Sequence, residues 1–195
     1  MKETSRHIVL ITALSVVFFT LAIVSTGKAY DDEACNVALD ILKEKKRGIV
    51  GPMAVSAPSP APSLARPEAE GFVRDARRGG PVDAADEFML ELMVKSADVD
   101  ELRPTEECAN IQRWMDASQI IHDQPRIEKA EPVEGRYPFA IVRVSMPAVS
   151  DDGNHALMYV STTHGPLAGG GYMAWIKRQK DGRWAIDEEL RMWVS

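Results

Sequence analysis

Cysteine is nearly absent from this chain. Cys35 and Cys108 are the only two among 195 residues, which excludes a zinc site built from cysteine alone, since such a site needs four ligands. Histidine is also sparse. Beyond the amino end only His122, His155 and His164 occur, and no two have the His-Glu-x-x-His spacing that places a metal pair on one helix face. There is no Gly-x-Ser-x-Gly elbow, and neither cysteine has a recognised nucleophile context. A set of Asp151, His155 and His164 across the C-terminal hairpin is conceivable as a metal site, but three scattered loop groups are ordinarily just solvated. No dense basic run exists. With 23 Lys and Arg against 29 Asp and Glu, the net charge of −6 repels a polyphosphate partner, so nucleic-acid binding is not expected. No catalytic, metal or cofactor constellation is expected.

Charge is missing from one further place, the stretch from Ile8 to Thr26. Lys2 and Arg6 precede it, and the small-x-small triplet Gly27-Lys28-Ala29 follows. A positive head, an apolar middle and small residues at the cut describe a secretory signal peptide over 1–29. An uncleaved anchor is the alternative, because 19 uncharged residues just reach across a bilayer as a helix. Both readings export residues 30–195 to the periplasm or outside the cell, with membrane contact only through an uncleaved leader. Export puts the two cysteines where disulfides persist, and their even count predicts a Cys35–Cys108 bridge. Two buried thiols acting as small hydrophobes are the other reading.

Residues 30–195 have the length of one domain with a core. Asp31 and Asp32 cap a helix whose Ala34, Val37, Ala38, Ile41 and Leu42 share one face, with Lys45, Lys46 and Arg47 near its end and Gly48 as the stop. Ile49–Ser56 reads as a short strand. Four prolines between Pro58 and Pro67 predict a loop over about 57–67, and a second irregular stretch ends at Gly79-Gly80-Pro81. Asp83 looks like the cap of a helix bearing Phe88, Met89, Leu92 and Met93 to about Lys95. Thr105 opens a weaker helix through Cys108, Ile111, Trp114 and Met115. After Glu134 the period changes to that of strands: Tyr137–Met146, Ala156–Thr162, Tyr172–Gln179 and Arg183–Val194. Tight turns at Asp152-Gly153 and Asp181-Gly182 join consecutive strands as an antiparallel meander. On the last, Trp184, Ile186, Leu190, Met192 and Val194 are expected on one face, with a bulge near Glu188. The class is α+β: N-terminal helices packed on one face of a C-terminal antiparallel sheet of about four strands.

The most unusual segment is Thr163-His164-Gly165-Pro166-Leu167-Ala168-Gly169-Gly170-Gly171. A phosphate-cradling loop would feed a helix, and a strand follows here instead. The segment therefore reads as a wide hairpin loop using glycine for positive φ, with His164, Gly165, Pro166 and Leu167 as a candidate binding loop. Asp187 and Glu189 share a strand face, but an acid pair at a sheet edge ordinarily discourages aggregation. Tyr159, Tyr172, Trp175, Trp184 and Trp193 crowd the sheet and are assigned to the core and its rim rather than to a carbohydrate or peptide platform.

The C-terminal third resembles a family of uncharacterised secreted bacterial proteins. The resemblance rests on His155-Ala156-Leu157-Met158-Tyr159-Val160-Ser161, Gly165-Pro166-Leu167 with Gly169, Lys180-Asp181-Gly182-Arg183-Trp184-Ala185-Ile186, and Trp193-Val194-Ser195. It covers about 137–195 and implies export and a β-rich end, with no activity. Members commonly carry cysteines on either side of Gly-Pro-Leu; His164 and Ala168 stand there in this chain, so no role of those cysteines transfers. The expected function is a non-enzymatic exported module that binds a protein or a small ligand. The alternatives are a pocket enzyme of the nuclear transport factor 2-like kind, with Glu188 as base, and an inhibitor or immunity-type protein.

Overall fold

The computed structural model describes residues 32–56, 66–76, 84–97 and 102–195. The leader, the Pro58–Pro62 run, Gly79-Gly80-Pro81 and the cap Asp83 lie outside the described residues.

The first helix, α1 (Asp32–Gly48), buries the stripe its sequence announces: Ala34, Val37, Ala38, Ile41 and Leu42. Acids in its first turn and bases in its last complement the helix dipole. Strand β1 (Met53–Val55) follows. Helix α2 (Arg66–Ala76) occupies what reads as irregular sequence. Pro67 lies in its first turn, where a missing N–H costs nothing, so the last proline of the predicted loop instead starts a helix. Helix α3 (Ala84–Ala97) buries Met89, Leu90, Leu92 and Met93. The weaker third helix is two pieces, α4 (Pro104–Glu107) and α5 (Ala109–Ala117), separated by an extended Cys108 at φ −104°, ψ 98°. A short α6 (Gln124–Glu128) is capped by the Asp123 carboxylate, which accepts from the Arg126 N–H at 3.1 Å.

The sheet has six strands rather than about four: β1, β2 (Ala140–Val144), β3 (Ala148–Val149), β4 (His155–Gly165), β5 (Ala168–Arg178) and β6 (Trp184–Val194). Its order is β1-β2-β4-β5-β6, with β3 also paired to β4. The β1–β2 pair is parallel, so the sheet is mixed; the other pairs are antiparallel as expected. Strands β2 and β3 run along the same side of β4, interrupted at Ser145-Met146-Pro147. Pro147 has no N–H for the ladder, and the Ser145 hydroxyl accepts the Tyr159 N–H at 2.9 Å across the interruption.

Helices cover both faces of this sheet, not one. On the first face α1 and α5 pack on Val142, Val144, Ala156, Met158, Val160, Ala174 and Ile176. On the second, α2 and α3 pack on Ala148, Leu157, Tyr159, Met173, Trp175 and Leu190. The odd and even residues of β4 thus enter different cores, as strand alternation requires. Strand β6 changes sides at its bulge. Ile176 pairs with Ile186 while Trp175 pairs with Glu188, which leaves Asp187 as the extra residue. Trp184 and Ile186 therefore join the first core, and Leu190 and Met192 the second. The expected bulge is present; the expected single face is not.

Cys35 and Cys108 form a disulfide, with sulfurs 2.07 Å apart and Cα atoms 5.5 Å apart. It joins the start of α1 to the break between α4 and α5, inside the first core. No helix among the described residues is long and apolar enough to cross a membrane.

Candidate functional site

Three surface clefts contain some of the residues singled out in the sequence, among them Asp151, His164, Tyr172, Trp184, Glu189 and Trp193. The first, of about 710 Å³, lies between α1, Trp114 of α5 and the β5–β6 turn. Lys43, Lys46, Arg47 and Arg183 line it together with Asp40 and Glu44. Its charges have internal work. Asp40 accepts the Trp184 N–H at 3.0 Å, Lys46 donates to the Gly51 carbonyl at 3.2 Å, and Arg183 holds Asp181 at 2.6 Å. The α1 bases also offset the negative end of that helix.

The second cleft, of about 520 Å³, lies between α3 and the β3–β4 turn. Lys95 donates to the Val149 carbonyl at 2.8 Å and to Asp151 at 2.9 Å. Ser150 donates to Asp152 at 2.5 Å, and the Asn154 N–H donates to the same oxygen at 3.0 Å. These bonds, the Ser150 hydroxyl first, hold the Asp152 carboxyl at about 2. A carboxyl depressed by folding adds stability that is present above the ordinary carboxylate range and lost as pH falls toward 2. The Asp152 side-chain carbon resonance is accordingly expected to titrate near pH 2, and Ser150→Ala to move that titration up; an unchanged midpoint in the variant contradicts the cause. Behind the turn, His155 stacks on Trp175 with centroids 5.4 Å apart and meets Phe88 edge-on. The arrangement is that of a braced turn.

The third cleft, of about 480 Å³, is lined by His164 of the candidate binding loop but not by Gly165, Pro166 or Leu167. The glycine-rich segment is not a wide loop: β4 runs to Gly165 and β5 resumes at Ala168, so Pro166-Leu167 alone make the turn, and His164 sits at a bulge between Thr163 and Gly165. None of its glycines has positive φ; Gly51, Gly135, Gly153 and Gly182 have it instead. Close approach explains three of the four. A Cβ on Gly165 would strike the Gly135 carbonyl oxygen, one on Gly169 would lie 2.9 Å from the Thr162 carbonyl, and one on Gly171 would strike Trp193 and Tyr159. Those two rings are joined over Gly171 by a 2.7 Å bond from Trp193 Nε1 to the Tyr159 hydroxyl.

Gly170 is different. A Cβ there would meet only the Trp193 carbonyl at 3.4 Å and the Val194 side chain at 3.6 Å, both ordinary contacts. The fold has no steric need for glycine at this position. Gly170 pairs with Thr162 on one side and Val194 on the other, on the sheet face that α1 covers only as far as Tyr172. There Lys45 lies over the Tyr172 ring at 4.7 Å and reaches Glu189 at 3.4 Å. Past that boundary the bare backbone of Gly170 is the floor of a groove walled by Thr162, His164, Tyr172, Arg191 and Val194. Val194, 68% exposed, is an apolar residue of its wall. Tyr172 has a buried hydroxyl without a partner of hydrogen-bonding geometry, and burial, followed by the Glu189 carboxylate, pushes its ionisation upward. Gly170→Ala is expected to leave stability unchanged or to raise it by up to about 1 kcal/mol, since glycine within a strand is itself unfavourable; a lowered thermal midpoint contradicts the steric reading.

The remaining candidates separate. His155 and His164 lie nine residues apart on one strand, about 30 Å at 3.3 Å per residue, so they share no metal ion. No metal-binding group of three or more His, Cys, Asp or Glu occurs among the described residues. Glu188 lies on the edge strand opposite Trp175 and lines none of the three clefts. Glu189 is engaged by Lys45. Tyr159, Trp175 and Trp184 are buried as expected, while Trp193 is 38% exposed. Arg191 and Thr162 were not legible as site residues, because only the β4–β5–β6 register brings them beside His164.

Comparison with protein-family models, with curated proteins and with solved structures finds no match.

Proposed function

We propose that this chain is an exported, non-enzymatic binding module that holds a small ligand in the groove over Gly170. The observation that supports the site most is the unneeded glycine: a side chain at that position fits the fold and fills the groove. Glycine inside a strand often marks close approach by a ligand or another backbone, and the groove's size is in the range of small-molecule sites. Export is supported by the uncharged Ile8–Thr26 stretch and by the Cys35–Cys108 bond, of a kind that persists in oxidising compartments. The likeness of 137–195 to secreted bacterial proteins belongs to the same proposal.

A fragment screen followed by amide NMR tests the site. Hits are expected to shift the amides of Thr162, Gly169, Gly170 and Arg191. Hits confined to the cleft beside Trp114 and Trp184 would move the proposed site there. Mass spectrometry of the intact protein recovered from its host tests export: the reading expects a mature start near Tyr30 or a membrane-bound full chain, and a cytosolic full chain contradicts it.

A further inference from the structure

We infer that the ligand of the Gly170 groove is a small carboxylate with a flat apolar body, anchored by Arg191. The inference rests on the groove being the binding site and adds the chemistry of its occupant. Two charged residues line that groove, Glu189 and Arg191, together with His164. Glu189 already has Lys45 at 3.4 Å. Arg191 has no acidic partner and no side-chain hydrogen bond among the described residues. An arginine whose fork is unfilled presents paired donors in the spacing of a carboxylate, and such bidentate pairs are stronger than neutral hydrogen bonds. The two lining charges, Glu189 and Arg191, cancel, so selection of an anion rests on the unfilled Arg191 fork and not on an excess of charge in the groove.

The remainder of the site matches the apolar part of such a ligand. Arg191 pairs across the sheet with Tyr172, and Gly170 lies two residues along β5 from Tyr172. A carboxylate held by Arg191 therefore places the body of its ligand over the Gly170 backbone, between Thr162 and Val194, where no side chain intervenes. A flat body suits a floor made of backbone. Thr162 and His164 at the far wall supply a hydroxyl and an imidazole for a polar substituent.

Benzoate, benzamide and benzylamine share one ring and differ in charge. Titrated into the ¹⁵N-labelled protein, benzoate is expected to shift the Thr162 and Gly170 amides and the Arg191 Nε signal, and to bind about tenfold more tightly than benzamide. Arg191→Gln is expected to abolish the difference in affinity between benzoate and benzamide. Benzamide or benzylamine binding over Gly170 as tightly as benzoate, or benzoate binding unaltered by Arg191→Gln, overturns the carboxylate assignment and leaves the groove standing. If none of the three shifts the amides around Gly170 at millimolar concentration, the groove reading falls and this inference with it.

Discussion

Reduction of the Cys35–Cys108 bond is expected to lower the stability of the domain by about 4 kcal/mol, the chain-entropy value for a closed loop of this size. The two residues are separated by 73 positions, so the cross-link removes a large volume of conformations from the unfolded chain. Both side chains lie in the first core, at 7% and 1% exposure, packed with α1 and with Ile111 of α5. After reduction the thiols remain small buried hydrophobes with the same neighbours, so little packing is lost and the difference reports mainly on loop closure. Urea unfolding of one preparation, with and without reductant, measures it. Coincident curves would show that the bond contributes nothing. A loss well beyond 4 kcal/mol would show that α4 and α5 detach when it opens.

Gly165→Ala is expected to cost about 1–3 kcal/mol, the range for overpacking a filled site. The new methyl group meets a main-chain carbonyl, that of Gly135, which cannot rotate away as a side chain does. Gly135 is itself fixed, at φ 76°, inside a turn closed by hydrogen bonds between Val133 and Arg136 at 2.8 and 3.0 Å. The Tyr137 N–H adds a 2.7 Å bond to the His164 carbonyl, tying that turn to the end of β4. Relief therefore requires the 133–137 segment to move as a unit and to lose those bonds. Gly171→Ala should be costly for a different reason, because it separates the hydrogen-bonded Trp193 and Tyr159 rings. Thermal unfolding of Gly165→Ala, Gly170→Ala and Gly171→Ala tests the ordering: the middle variant alone should match or exceed the parent. Equal losses at all three positions would remove the distinction on which the groove depends.

Most of the fold was legible because its signals are local. The α1 stripe, the Asp-Gly turns with Gly153 and Gly182 at positive φ, and the β-branched content of β2 each follow from neighbouring residues. Helix α2 escaped because its described buried residues, Ala69 and Val73, make too sparse a stripe beside a run of prolines. The coverage of both sheet faces escaped because periodicity shows that a helix buries a stripe, not which side of a sheet receives it. The parallel β1–β2 pair joins segments with α2 to α6 between them, beyond the reach of any turn signal. The segment from His164 to Gly171, part of which lines the candidate site, was visible as unusual sequence, but the role of its glycines was not. Positive φ and close approach leave the same residue in the sequence, and only the positions of Gly135, Tyr159 and Trp193 distinguish them. For Gly170 neither reason applies, and that exception became apparent only with the neighbouring strands in place.

If Gly170 serves the proposed ligand and not the fold, a side chain there should stop binding without disturbing folding. Titration of Gly170→Val with benzoate, followed in its own amide spectrum, reads fold and binding together. The account predicts a spectrum as dispersed as the parent's and no benzoate-dependent shifts at Thr162 or Arg191. A well-folded variant that binds benzoate as the parent does would contradict it.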